Sequence, residues 1–383
     1  MSSSYYNKPD VTTSYLRHKE INDYLDYLRH RYADVVKVYN IGRSYEGRLI
    51  KAIQIDWHKR YHHRRHHRHS KLPLTMTDGS GNTNVSVPKK NVVFIEAGTH
   101  AREWMTIAVA LKCIQQLTEK HNRHRKILEK LRFFIIPLVN PDGYEYTYNK
   151  NRMWRKNRRP HSILQSIGTD CNRNFDFHWE NGSTKASRST YKGEKPFSEP
   201  ETCALRNIME KLQPHLLLFF SLHSYGQAIM YPWGYTKELP ISWKEHQQLA
   251  ECGKKAIKKV SGRVYRCGSI SGIRKHIYSG SIVDYAFGIV KVPFALVMEL
   301  PSNELGFQPS PVHIRPIGHE SWIGIRAMCQ KALDISVVSI LSHEGNQNQN
   351  QNQDQVESDV VTEVTPPPPP PTLATTVTST VMD

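Results

Sequence analysis

The chain has 383 residues, of which 38% are hydrophobic and 10% aromatic, and it carries a formal net charge of +17. That is enough apolar material for a real core, while a mean hydropathy of −0.57 says that part of the chain is not packed. No run approaches the ~18 continuous apolar residues of a membrane span. The stretch from Met1 to Tyr6 shows no secretory signal, and no helix-turn-helix, RNP or C2H2 pattern accompanies the charge, so specific nucleic-acid reading is excluded.

In chain order, Ser14–Arg31 has helical spacing, with Tyr15, Ile21, Tyr24, Leu25 and Leu28 on one face. Leu49–Ile55 reads as a buried strand. Residues 58–71 are almost entirely His, Arg and Lys, and the chain stays polar to about Lys90. This 58–90 insertion cannot bury enough apolar surface to order itself and is expected to be disordered. It reads as a solvated basic loop, with polyanion contact or metal recruitment through 58–71 as alternatives.

A second strand, Val92–Glu96, runs into Gly98 and then His100 and Glu103. A His and a Glu three apart at a helix start share a face and can grip one ion. Thr106–Lys120 follows as a helix, and then comes a strand at Phe133–Val139. Arginines and asparagines crowd residues 151–159 and 168–174; guanidinium forks match carboxylates bidentately. Ser198–Glu201 has the form of a capping box with an early proline, opening a helix at Glu199–Leu212.

The strand Leu216–Leu222 ends in His223, and Phe294–Leu300 carries Glu299 inside an apolar run. A buried carboxylate is costly unless paired, metal-bound or functional. Ser242–Val260 and His319–Leu341 read as further helices. After His343 an Asn/Gln alternation leads to Pro366–Pro371, so 344–383 is expected to be a disordered tail. Strands alternating with helices predict one α/β domain over 1–343, a sheet with helices on both faces. Ligands then belong where strands end. Two His and one Glu at such ends form the ligand set of catalytic zinc. The six cysteines form no CxxC pair.

The segments Ile41–Arg48, Gly98–Trp104, Asn140–Tyr144, Arg152–Lys156, Gly168–Asn174, Leu222–Tyr225, Tyr231–Tyr235, Met298–Leu300 and Glu320–Gly324 resemble, in order, those of the pancreatic-type A/B zinc metallocarboxypeptidases. The resemblance implies a mixed central sheet and one zinc ion held by His100, Glu103 and His223. It implies Glu299 as general base toward zinc-bound water and Arg155 as stabiliser of the oxyanion. Asn172 and Arg173 would hold the substrate's C-terminal carboxylate, with Arg102 further along the groove. Asp170 would orient a zinc-bound His, and Ser224–Tyr225 would be a non-proline cis bond. The implied activity is release of single residues from peptide or protein C-termini by a secreted monomer. The inhibitory pro-domain of the family is not visible in the chain.

The sequence departs from the family around 276–284. The tyrosine that caps the bound carboxylate is Tyr278 by motif, or His276 counting back from Asp284 without a gap. The side-chain pocket would have Val283 at its base, which favours a neutral, apolar or aromatic C-terminal residue. Arg274 and Lys275 keep an acidic preference open. Cys252 and Cys267 are candidates for a local disulfide. An alternative reading is a catalytically impaired binding protein tethered through 58–71.

Overall fold

The structure is a computed structural model that describes residues 8–57, 90–161, 163, 165–301 and 306–357, with side chains to Ser336. The elements are α1 (His18–Arg31), β1 (Val36–Arg43), β2 (Leu49–Ile55), β3 (Asn91–Glu96), α2 (Trp104–Thr118), α3 (Arg125–Leu128), β4 (Leu131–Ile136), α4 (Pro141–Asn149), β5 (Pro160–His161) and β6 (Ser166–Ile167). Then come α5 (Pro200–Leu212), β7 (Leu216–Ser224), β8 (Ala228–Tyr231), α6 (Trp243–Ser261), β9 (Arg266–Ser269), α7 (Ile270–Arg274), α8 (Ile282–Gly288), β10 (Phe294–Leu300) and α9 (Ile314–Glu357).

Eight strands form one mixed sheet in the order β1-β2-β4-β3-β7-β10-β8-β9. The central strands β4, β3, β7 and β10 run parallel to one another, while β1/β2, β2/β4 and β8/β10 pair antiparallel. Every residue of β4, β7 and β10 is buried, because both faces of the sheet are covered. Leu131, Phe133 and Ile135 face a core shared with α1, α2, α6 and α9, while Phe134 and Ile136 face a second core shared with α5 and α8. Parallel strands covered in this way read as continuous apolar runs, which is why the sequence exposed them.

Elsewhere the boundaries differ from the expectations. α1 starts at His18 rather than Ser14; Arg17 precedes it with its backbone N–H donating to the Glu20 carboxylate. β4 ends at Ile136 because the chain turns there: the Ile136 carbonyl accepts from Ala97, and Val139 donates to the Ala97 carbonyl. β1 escaped notice because its buried positions are few and irregular. The capping box at Ser198 is not formed. Glu199 is the N-cap residue and Pro200 leads α5, while the Glu201 carboxylate accepts from Asn157 at 3.0 Å.

Cys252 and Cys267 do not pair; all six cysteines are free thiols. The Cys252 thiol faces the Ala327 carbonyl of α9 at 3.7 Å, away from β9. Ser224–Tyr225 is cis as expected, and Pro232–Trp233 is cis as well.

The described residues up to Ile335 group as one compact unit, and helix assignment continues to Glu357. Residues 58–89 of the basic insertion and 358–383 of the tail lie outside the described residues. Among the described residues no helix is long and apolar enough to cross a membrane.

Candidate active site

Three parallel strands deliver the site. β3, β7 and β10 end at one level, and their register places Glu299 beside His223 and Glu96 beside Ser221. After β3 the chain turns through Gly98 at φ +68°, where an added Cβ would lie 2.8 Å from the Leu138 side chain. Only glycine takes that turn without strain. It carries His100 and Glu103 under the sheet edge. The two residues do not share a helix face as the spacing suggested. They lie in the turn before α2, with Glu103 as N-cap residue and its N–H donating to the His100 carbonyl at 3.2 Å.

His100, Glu103 and His223 are all buried and converge. His100 Nδ1 is 2.8 Å from Glu103 Oε1, His223 Nδ1 is 3.0 Å from Glu103 Oε2, and the two Nδ1 atoms are 3.1 Å apart. Two facing Nδ1 atoms cannot donate to each other at once, and bare lone pairs at that separation repel, so without a cation the two rings depend on Glu103 alone. A divalent cation between them resolves the conflict, and two imidazoles with one carboxylate suit zinc. Burial works against ionising Glu103, yet the two imidazoles outweigh it and hold its carboxyl far below the usual range.

Each imidazole is also held from behind. His100 Nε2 meets Asp170 Oδ1 at 3.0 Å. His223 Nε2 meets the Ser221 hydroxyl at 2.9 Å, and that hydroxyl donates to Glu96. Burial pushes the Glu96 carboxyl up, and the Thr99 hydroxyl donates to its other oxygen at 2.7 Å. Glu96 and Ser221 were not anticipated as part of the site. For Glu96 a signal was nonetheless present: it is a carboxylate ending an apolar run, as His223 ends another.

A cleft of about 480 Å³ opens over these ligands. Arg155 lines it, anchored by two bonds to Asp170 Oδ2 at 3.1 and 2.9 Å, with Glu103 3.7 Å away. Burial opposes ionisation of Asp170, but Arg155 and His100 outweigh it and hold the carboxyl well below its ordinary value.

Arg173 also lines the cleft. It donates to the Asn172 carbonyl at 2.6 Å and stacks 4.1 Å over the Tyr278 ring. Among the described residues no carboxylate pairs with it. Gly280 passes so close to it that an added Cβ would lie 2.3 Å from the Arg173 carbonyl oxygen. Asn172 is partly engaged, accepting from Ile282 N–H at 3.0 Å and lying 3.3 Å from His223 Nε2. Arg102 lies over the Phe307 ring at 4.1 Å, with its Nε buried and unpartnered. Glu299 is buried at the cleft wall and ion-paired to Arg274.

The loop at 275–281 separates the two alternatives for the capping residue. Tyr278 is half-buried against Arg173, its N–H donating to the Gly234 carbonyl at 2.9 Å, and burial pushes its phenol up to about 12. His276 is exposed at the rim, its ring 6.1 Å from that of Tyr278. Both line the cleft.

Val283 does not line it. It is fully buried in the first turn of α8, within the second core, so the expectation that it forms the pocket base is corrected. The reason is the turn itself: Ser281 caps α8 by accepting from Asp284 N–H at 3.2 Å. The Asp284 carboxylate, pushed up to about 7 by burial, accepts from Gly234 and Tyr235. The walls at that end are Arg274, Tyr278 and Val297 instead.

With this geometry in hand, the comparisons are consistent with one another. The family model described as zinc carboxypeptidase matches residues 21–324. A carboxypeptidase B of Astacus astacus is 31% identical over 328 residues, covering 84% of this chain and 98% of its own. The crystal structure of carboxypeptidase A from Helicoverpa armigera superposes with a TM-score of 0.74 at 29% identity, covering 86% of this chain and 76% of its own. An inactive metallocarboxypeptidase of Saccharomyces cerevisiae is also 31% identical, over 81% of this chain and 69% of its own.

Proposed function

The chain belongs to the zinc carboxypeptidase family and is a metallocarboxypeptidase; on that premise we propose that it releases single residues from the C-termini of peptides or proteins at the cleft above β3, β7 and β10. His100, Glu103 and His223 would hold one zinc ion. When bound there, zinc acidifies a water molecule and polarises the scissile carbonyl.

The remaining roles fall to the chain's own side chains. Arg173, a half-buried cation without an acidic partner among the described residues, would take the substrate's terminal carboxylate as a bidentate fork. Asn172 would assist from the adjacent wall, and Arg102 would contact the peptide further along the groove. Arg155, fixed by Asp170, would face the carbonyl oxygen as negative charge builds there. Glu299 would take the proton from water and pass it to the departing amine. Tyr278, stacked under Arg173, is the residue better placed to close over the bound carboxylate. Action outside the cell, as a monomer, completes the reading and rests on family resemblance.

One observation carries the proposal. A buried carboxylate, Glu299, stands in register beside His223 and shares a cleft with Arg173. The test is hydrolysis of N-blocked dipeptides by the zinc-loaded protein and its Glu299→Gln variant. The wild type is expected to release the C-terminal residue, and the variant to lose a factor of about 10³ or more in kcat while retaining zinc. Zinc binding without release from any dipeptide would favour the binding-protein reading.

A further inference from the structure

Four guanidinium groups line the cleft, those of Arg102, Arg155, Arg173 and Arg274, against two carboxylates, Glu103 and Glu299. Glu103 is committed to His100 and His223, and Arg155 to Asp170. Arg173 is the group suited to a terminal carboxylate. Arg102 lies over the Phe307 ring, which leaves Arg274, whose ion pair is with Glu299 itself. The side chain that would abstract a proton is therefore held by a cation from the side-chain end of the cleft.

We propose that Arg274 selects an acidic C-terminal residue, aspartate or glutamate, by exchanging Glu299 for the substrate's side-chain carboxylate. This rests on the carboxypeptidase reading above and names the substrate class of that site. The exchange balances in charge. Arg274 leaves one carboxylate for another, Glu299 is freed to accept a proton, and neither cation nor anion stays desolvated and alone. An apolar side chain offers Arg274 nothing. It would leave Glu299 engaged, or free it only by giving up the pair with Arg274 and putting nothing in its place. A lysine or arginine side chain would meet Arg274 and Arg173, and the acidic group beside them, Glu299, is already paired.

The surroundings permit the movement. Arg274 ends α7, its side chain is about one-third exposed, and the next residue, Lys275, turns the chain at φ +63°. The Arg274 carbonyl is held by His276 Nδ1 at 2.9 Å, so the backbone is fixed while the long side chain is not. Tyr278 lies between Arg173 and Gly234, with its ring edge 3.3 Å from where a Gly234 Cβ would be. The cleft is thus lined by Tyr278, Arg173 and Arg274 rather than by Val283, which gives it a cationic rather than an apolar wall.

The experiment compares kcat/KM for blocked dipeptides identical except for a final Glu, Leu or Lys, on wild type, Arg274→Gln and Arg274→Lys. In parallel, calorimetry measures binding of N-acetylglutamate and N-acetylleucine to the same zinc-loaded proteins. The wild type is expected to prefer Glu over Leu by roughly tenfold or more, with Lys slowest. Arg274→Gln should erase that preference by slowing Glu while leaving Leu equal or faster, and Arg274→Lys should restore part of it. The N-acetylglutamate advantage in binding should follow the same pattern. Leu cleaved as well as Glu by the wild type, or all three substrates slowed equally in Arg274→Gln, would overturn the inference while leaving the peptidase reading intact. Arg274-dependent binding of N-acetylglutamate with no hydrolysis of any dipeptide would overturn the peptidase reading and leave the acidic-ligand site standing.

Discussion

The two ends of the cleft rest on the same parallel strands but are held in place by different means. At the metal end every group has a buried partner: His100 has Asp170, His223 has Ser221 and through it Glu96, and Glu103 bridges both imidazoles. These side chains leave strands or strand-end turns, where neighbouring backbone is fixed on both sides. At the other end the walls come from residues 274–278, where Arg274, Lys275, His276 and Ile277 are exposed. The Tyr278 N–H ties that loop to the Gly234 carbonyl, and the Asp284 carboxylate of α8 holds Gly234 in turn. On the proposed reading, chemistry that tolerates little displacement would sit on the sheet, and the part that chooses a side chain would sit on a loop.

Two substitutions sharpen that contrast. Arg173 stands where the ends meet, and Arg173→Ala should have the larger effect. It is expected to cost about 10²-fold or more in kcat/KM, mainly through KM, because a fully desolvated charge pair with the substrate is lost. Zinc affinity, read by competition with a chromogenic chelator, should stay the same. Ser221→Ala should do the reverse on a smaller scale. Removing the partner of His223 is expected to weaken zinc binding by about 10–100-fold, while the ratio of rates for different C-terminal residues holds. A Ser221→Ala variant whose substrate ratio shifts as much as its zinc affinity would break the distinction between the two ends.

The metal end was largely legible in the sequence, for a physical reason. Strands buried on both faces are continuous apolar runs, so β3, β7 and β10 stood out, and a polar residue ending or interrupting such a run had to be paid for by function. That argument found His223 and Glu299. It applied equally to Glu96 at the end of β3, whose tie to the site runs through Ser221 to His223, a link across two strands that no local pattern announces. The three-residue spacing of His100 and Glu103 was read correctly as a pair but placed on a helix face, whereas the fold uses a tight turn through Gly98.

The side-chain end was less legible because its register depends on loop geometry. Val283 keeps its place next to Asp284 in sequence, yet the turn capped by Ser281 buries it in the core, and Tyr278 fills the space instead. The link between Arg274 and Glu299 spans 25 residues and joins α7 to β10, a proximity no local pattern announces. Cys252 and Cys267 misled for a related reason. Nearness in sequence between a helix and a strand does not fix which way a thiol points.

The account stands on a zinc ion at His100, Glu103 and His223, and anomalous scattering from zinc-loaded crystals measured at the zinc edge tests this most directly. The expected result is a single peak at about 2.0–2.2 Å from His100 Nδ1, from a Glu103 carboxylate oxygen and from His223 Nδ1. A map with no peak there, or with zinc elsewhere while the three side chains remain bonded to one another, would contradict it.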